Sequence, residues 1–351
     1  MLLLVDHQSS LFHTATTPLR RRFAARLPGF VALMKPRVMS LAVFTAFVGL
    51  KIAPGHLDPL LAATAILAIA AGAGAAGVLN MWYDADIDAL MTRTATRPIP
   101  RNKVSRREAL AFGLILGTGA VAVFALVLNV TAATLLAAAI LFYIVVYTVW
   151  LKRSTPQNIV IGGAAGALPP VIGWAAATGE IALEPFVLFL IIFLWTPPHF
   201  WALSLNRADE YGRAGLPMLP VVAGKIATTR QILIYSILLL PISLLPCALG
   251  FGSLLFGTVA VTCGAIFVAL AFLLHRSKGT DRRAAQRLFG FSIFYLFVLF
   301  AALLAGNLGN RGSSALLARA GSSSISSLQG EMLDKPLGNA RSSIIRKADE
   351  I

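Results

Sequence analysis

Nine stretches of predominantly apolar residues, at 38–52, 60–79, 109–128, 131–150, 159–178, 183–203, 232–250, 254–274 and 288–306, are separated by short polar connections. Most reach the roughly 20 residues that carry a helix across the hydrocarbon core of a bilayer, and the first is short enough to need its flanks. The pattern predicts an all-α polytopic membrane protein with about nine transmembrane helices. Composition agrees: 57% of the 351 residues are hydrophobic, 13% are charged, and the mean hydropathy is +0.78, too little polar surface to cover a soluble globule.

Charge placement adds an orientation. Six Lys/Arg precede the first run; the second, fourth, sixth and eighth connections hold six, two, four and five, and the other connections are left with Lys51. The positive-inside rule therefore places the N-terminus and the even connections in the cytoplasm. The net charge of +15 follows from topology and from attraction to anionic membrane lipid, and calls for no nucleic acid. Residues 1–34 read as a cytoplasmic tail. Their arginine-rich, acid-poor start would also suit an organelle transit sequence, but a bacterial inner membrane is the favoured setting over the mitochondrial one. From 307 to 351 the chain turns to Ser, Gly and mixed charge and reads as a disordered tail. Cys247 and Cys263 lie in separate apolar runs, as packing residues do.

Candidate chemistry sits where two runs meet cytoplasmic connections. Asn80, Asp84 and Asp88 are spaced i, i+4, i+8, so on one helix they climb a face in steps of about 6 Å with a drift of about 40°. Carboxylates beside hydrocarbon are costly unless they face a cavity and are neutralised. His199, Asn206 and Glu210 return to a common face at the end of the sixth run, with Asp209 to one side. Both acidic segments precede loops bearing Arg and Pro. Magnesium takes one or two protein carboxylates and completes its shell with phosphate oxygens and water. Arg93, Arg97, Lys152 and Arg153 would balance the remaining charge. A magnesium-bound diphosphate on a lipid chain fits this set, its tail among the helices and its head in the wet boundary. No phosphate-cradling glycine motif supports an ATPase.

Several residues keep two readings. Asn158 either caps the fifth helix or touches diphosphate, and Asp86, about 160° from Asp84, is a helix-end partner or a ligand. Arg101, Lys103, Arg106 and Arg107 read as topology determinants. His199 would ligate a metal, move a proton or bond a neighbour. Pro169-Pro170 and Pro197-Pro198 are expected to shape helices.

At these residues the chain resembles the UbiA superfamily of intramembrane prenyltransferases, and within it the branch that farnesylates protohaem IX. The likeness rests on Lys35-Pro-Arg37, Asp84-Ala-Asp-Ile-Asp88 with Met91-Thr-Arg-Thr94 and Arg97-Pro98, Tyr147-Thr-Val-Trp-Leu-Lys152-Arg153, the segment from Gly162 through Pro169-Pro170 to Trp174, Trp195-Thr-Pro-Pro-His199-Phe-Trp201, and Ala214-Gly-Leu-Pro-Met218. It spans about 35–306, taken as one UbiA-like transmembrane domain. Many relatives carry two aspartates four apart in a second motif, where this chain has Asn206 and Glu210 with Asp209 before the glutamate. The resemblance implies transfer of a farnesyl group from farnesyl diphosphate to a vinyl group of haem b, with water added and diphosphate released, to give haem O. It implies Asp84 and Asp88 as Mg²⁺ ligands assisted by Asn80, and Asp209 and Glu210 at a second Mg²⁺. Arg93, Arg97, Lys152, Arg153 and Asn158 would meet diphosphate, and a downstream haem A synthase would be a partner. Trp82, Tyr83, Phe142, Tyr143 and Tyr147 are the expected aromatic walls. A quinone-precursor prenyltransferase, a cation or lipid transporter, and a non-catalytic haem-handling protein are the competing readings. The transporter would not need two acid-and-arginine sets at one boundary, and the haem handler leaves Asn80, Asp84 and Asp88 without a task.

Overall fold

The first apolar run begins at a break. In the computed structural model, which describes residues 27–55 and 57–333 with side chains through 309, Leu27–Leu33 and Pro36–Ile52 form two helices bent by 55°. Pro36 lacks an N–H and disfavours helical geometry in the residue before it, and Lys35 takes a left-handed conformation at φ 54°. The short run thus gains its missing length from residues expected to lie in the N-terminal tail. Eight further helices are long and apolar enough to cross a membrane: Pro59–Tyr83, Arg106–Leu128, Val130–Ser154, Asn158–Thr178, Leu183–Leu205, Gly224–Ala248, Leu254–Arg276 and Arg282–Gly309. With the bent pair taken as one, the described residues hold nine spans and no strand. From Arg282 the backbone stays helical to Leu333. Most of the expected N-terminal tail and the end of the expected unstructured C-terminal tail, at 1–26 and 334–351, lie outside the described residues.

The spans close on one another. The second packs on the third, the fifth on the sixth, the seventh on the sixth and eighth, and the ninth on the eighth and sixth, while the first lies against the second, the fifth and the ninth. Contact between first and fifth is backbone on backbone. A Cβ on Gly49 would sit 2.2 Å from the carbonyl oxygen of Pro170, and one on Gly173 would sit 2.0 Å from that of Ala46. Outward faces carry exposed Leu60, Ile115, Leu126 and Leu254, a surface that suits hydrocarbon.

Three spans depart from simple α-helix, and the third span does so only in its last turn, a π-helix over Phe124–Leu128. The fifth is interrupted at Leu168, where Pro169 has no N–H to continue the ladder. In the fourth, Phe142–Leu151 is a ten-residue π-helix. Its i→i+5 bonding gives about 4.4 residues per turn, so Tyr143, Tyr147 and Lys152 return to nearly one face. On an α-helix Lys152 would stand about 180° from Tyr143.

Candidate active site

Asn80 and Asp84 form the floor of the site where the second span ends. Asp84 is fully buried and Asn80 and Asp88 nearly so. The Asn80 amide oxygen accepts from Lys35 Nζ at 2.8 Å, and its nitrogen donates to Asp84 Oδ2 at 2.8 Å and to Thr148 Oγ1 at 3.1 Å. Thr148 in turn donates to the Tyr143 carbonyl at 2.8 Å, five residues back, which ties the π-helix to the acidic motif. Lys152 Nζ forms an ion pair with Asp84 Oδ2, and Arg153 Nη2 stands 3.7 Å from Oδ1, which has no hydrogen-bond partner. After a break at Asp84 the chain re-forms a helix over Ala85–Leu90. Asp88 there receives one Arg97 nitrogen at both carboxylate oxygens, 2.6 and 2.7 Å.

These groups border a cavity of about 170 Å³ lined by Lys35, Asn80, Asp88, Arg93, Arg97 and Lys152, with Tyr143, Tyr147 and Tyr211 as walls. Its basic side chains outnumber Asp88 and the underlying Asp84, so the head cavity suits an anion. Arg93, exposed at the rim, has no ion-pair partner among the described residues.

Two apolar-walled cavities adjoin it. One of about 260 Å³ is lined by Ile69, Ala73, Leu136, Ile140, Pro169 and Ile172, and shares Lys35, Val38 and Tyr143 with the head cavity. A second, of about 340 Å³, lies between the first, fifth, sixth and ninth spans; His199, Trp195, Phe289 and Arg37 line it. Val38, Ala42 and Gly166 border both. His199 is sandwiched between Trp195 and Phe289, ring centroids 4.3 and 4.8 Å away and planes tilted by 17° and 24°, and its Nδ1 lies 2.6 Å from Ser292 Oγ.

Other sequence-predicted residues stand further off. Arg153 turns outward, where it makes two 3.0 Å bonds to Asp86 and covers the Tyr83 ring at 4.8 Å. That pairing holds the Asp86 carboxyl below its ordinary pKa. Asp86 is therefore a clasp between the second connection and the fourth span. Asn158 is buried and donates to the Thr155 carbonyl at 2.5 Å; its own oxygen is unmatched. Within Ala208–Arg213, Asp209 is exposed, whereas Glu210 buries an oxygen with no partner and receives Arg207 at 3.4 Å on the other. Tyr211 beside it buries an unmatched hydroxyl whose pKa burial raises. Among the described residues no three His, Cys, Asp or Glu side chains gather as a metal group, and one or two carboxylates are all that a phosphate-bound magnesium requires.

Of the expected aromatic walls, Tyr143 and Tyr147 line the head cavity, with ring centroids 5.2 Å apart. Trp82 and Tyr83 do not. Trp82, two residues from inward-facing Asn80, packs against the apolar cluster that contains Leu33 and Val78, and Tyr83 lies under Arg153. Phe142, next to Tyr143, also lies outside the lining. Sequence reasoning gave no site role to Lys35, Arg37, Thr148, Tyr211 or Ser292. The Lys-Pro-Arg start of the first run was the available signal for the first two.

The family model of the UbiA prenyltransferase family matches residues 42–299. The chain is 61% identical over 281 residues to the protoheme IX farnesyltransferase of Afipia carboxidovorans, covering 80% of this chain and 90% of that one. It is 57% identical over 288 residues to the enzyme of the same name from Parvibaculum lavamentivorans, covering 82% and 91%. Among solved structures it is similar to a digeranylgeranylglyceryl phosphate synthase, with TM-score 0.68 and 20% identity over 81% of this chain and 99% of that one. It is likewise similar to a UbiA homologue from Archaeoglobus fulgidus bound to GPP and Mg²⁺, with TM-score 0.61 and 15% identity over 79% and 99%. Over most of its length, in sequence and in fold, this integral membrane chain belongs to the UbiA prenyltransferase family.

Proposed function

We propose that this protein transfers the farnesyl group of farnesyl diphosphate to a vinyl group of haem b, with addition of water, giving haem O and diphosphate. The observation that carries the reading is a cationic head cavity opening into an apolar cavity on one side of the first span, with a histidine-bearing cavity on the other. Relatives at 57–61% identity bear the name of that reaction.

Lys35, Arg93, Arg97 and Lys152 bind the diphosphate, Arg97 and Lys152 exchanging their carboxylates for phosphate oxygens. The donor set fits magnesium, since Asp84 and Asp88 are carboxylates beside an anion cavity and Asp84 keeps an unmatched oxygen. Those two residues would hold the ion, which would neutralise charge on the departing diphosphate. Asn80, committed to Lys35 and Asp84, orients the carboxylate. Glu210, the inward-turned member of the second acidic pair, is the one suited to a further cation. The prenyl chain lies in the cavity of Ile69, Leu136 and Ile172, where water is excluded. Tyr143 and Tyr147 present their faces to the positive charge that develops on the allylic carbon. Haem b enters the histidine cavity, its carboxylates meeting Arg37, which has no ion-pair partner among the described residues. The acid motifs lie on the cytoplasmic side of a bacterial inner membrane, where haem O would pass to a haem A synthase.

Purified protein supplied with haem b, farnesyl diphosphate and Mg²⁺ should yield a pigment heavier by a farnesyl group and a hydroxyl group. Farnesylation of an added phenolic acid with no change in haem mass would establish the quinone-precursor reading instead.

A further inference from the structure

The hydrogen bonds around His199 determine which of its nitrogens carries the proton. Ser292, fully buried on the ninth span, has one hydroxyl proton and two neighbours at 2.6 Å, the Phe289 carbonyl oxygen and His199 Nδ1. A carbonyl only accepts, and two oxygens at 2.6 Å without a proton between them repel, so the hydroxyl proton goes to Phe289. The lone pairs of Ser292 Oγ then face Nδ1, which must be the N–H. Nε2 is left with the lone pair, and no protein group hydrogen-bonds it among the described residues. The ring cannot easily turn to exchange the nitrogens, because Trp195 and Phe289 cover both faces and Trp195 is itself pinned through Nε1 to the Ser292 carbonyl at 2.8 Å.

We propose that Ser292 is a positioning residue that fixes His199 as the Nδ1–H tautomer and thereby presents Nε2 as an axial ligand to the iron of the porphyrin substrate. This inference rests on the reading of haem b as acceptor. A metal-bound imidazole gains basicity and orientation when its other nitrogen donates to a fixed acceptor, and loss of such a partner typically weakens metal binding about 10- to 100-fold. Ser292 ties one backbone segment to two of the rings that line the cavity, since its carbonyl holds Trp195 and its hydroxyl holds His199.

The test uses detergent-solubilised full-length protein, ferric haem b followed by absorbance and electron paramagnetic resonance, and a non-reactive thiodiphosphate analogue of farnesyl diphosphate with Mg²⁺ as the folding control. Wild type should bind haem with an imidazole-ligated spectrum that His199→Ala abolishes. Ser292→Ala should weaken haem binding about 10-fold or more and shift the spectrum, whereas Ser292→Thr, which keeps the hydroxyl, should retain the wild-type spectrum; analogue binding should persist in both. Haem binding by wild type with Ser292→Ala indistinguishable in spectrum and affinity overturns the inference alone, as does a His199→Ala spectrum equal to wild type. If Ser292→Ala loses the analogue as well, the hydroxyl-retaining variant decides: Ser292→Thr behaving like Ser292→Ala also overturns it. Failure of wild type to bind haem while it binds the analogue removes the acceptor reading and this inference with it.

Discussion

Removing the ammonium that faces Asp84 tests the electrostatics of the site without needing either substrate. Asp84 is fully buried, so its charge is little screened by water, and Lys152, with 13% of its side chain exposed, is its direct ion-pair partner. Breaking a buried pair by deleting one member costs about 3–5 kcal/mol, because the survivor is left charged in a poorly polarisable setting. Asn80 still donates at 2.8 Å and Arg153 remains 3.7 Å away, so Lys152→Met belongs at the lower end, about 3 kcal/mol. Asp84→Asn should cost about 1 kcal/mol, since the freed lysine extends its head to the wet boundary. The double variant no longer holds an unpaired buried carboxylate and should lose about 2 rather than 4 kcal/mol, a coupling of about 2 kcal/mol. Denaturant titration in mixed micelles, followed by circular dichroism, measures all four proteins. Losses that add to within about 0.5 kcal/mol would show that the pair carries no coupling and that Asp84 does not depend on Lys152.

Asp88→Asn, or chelation of Mg²⁺ from the wild type, should lower farnesyl transfer at least about 100-fold with the helical spectrum intact, and near-normal turnover of Asp88→Asn at limiting Mg²⁺ would remove it from the metal set. Arg97→Ala should raise the farnesyl diphosphate concentration needed for half-maximal rate far more than Arg107→Ala, whose exposed side chain lines none of the three cavities described above; equal effects would reduce Arg97 to a topology signal. Gly162→Ala puts a Cβ 2.2 Å from the Tyr147 ring, so the ring must move, with an expected cost of about 1–3 kcal/mol and a loss of turnover that an unchanged melting curve and rate would contradict. The Asp86 carboxyl is held below its ordinary pKa by Arg153, so its contribution to stability is complete above that ordinary value and fades as pH falls through the lowered one. Asp86→Asn should flatten the acid side of the stability–pH curve, and an unaltered slope would place the stabilisation elsewhere.

The helix count, the acidic motif and the basic connections were legible because each follows from a period, a hydropathy run or a charge tally. What stayed hidden depends on local departures from those periods. An α-helical reading keeps Lys152 away from Tyr143, and the π-helix over Phe142–Leu151 reverses that without a proline or glycine inside it to mark the change. Asp84 and Asp88 share a stripe on paper, yet the chain breaks at Asp84 and gives them different cationic partners, Lys152 and Arg97. The resemblance sets Asp209 and Glu210 together because adjacent acids differ only in which way a six-residue helix is turned; here Tyr211 lines the head cavity, Glu210 buries an oxygen and Asp209 stays exposed. Charge and the family resemblance both group Arg153 with Lys152, whereas in the fold exposed Asp86 draws Arg153 outward. His199 announced itself as a histidine in an apolar run; the serine that fixes it lies 93 residues away, beyond the reach of any local pattern.

Val38, Ala42 and Gly166 border two cavities at once, and this makes them a window rather than a wall. On the proposed reading the new carbon–carbon bond would join a chain held on one side to a ring held on the other, so the reacting ends would meet across a sill set by Val38, the Ala42 methyl group and a Gly166 hydrogen atom. A side chain started at Gly166 would meet no atom within 4 Å, so the opening has room to be shuttered without disturbing the helices around it. Gly166→Leu should leave a protein that takes up each reactant by itself and releases no product. In such a protein occupancy and reaction are separated by a few ångströms of leucine. The sparseness of side chains at this crossing of the first and fifth spans, which a stability argument would count as a weakness in packing, would then be the route by which one substrate reaches the other.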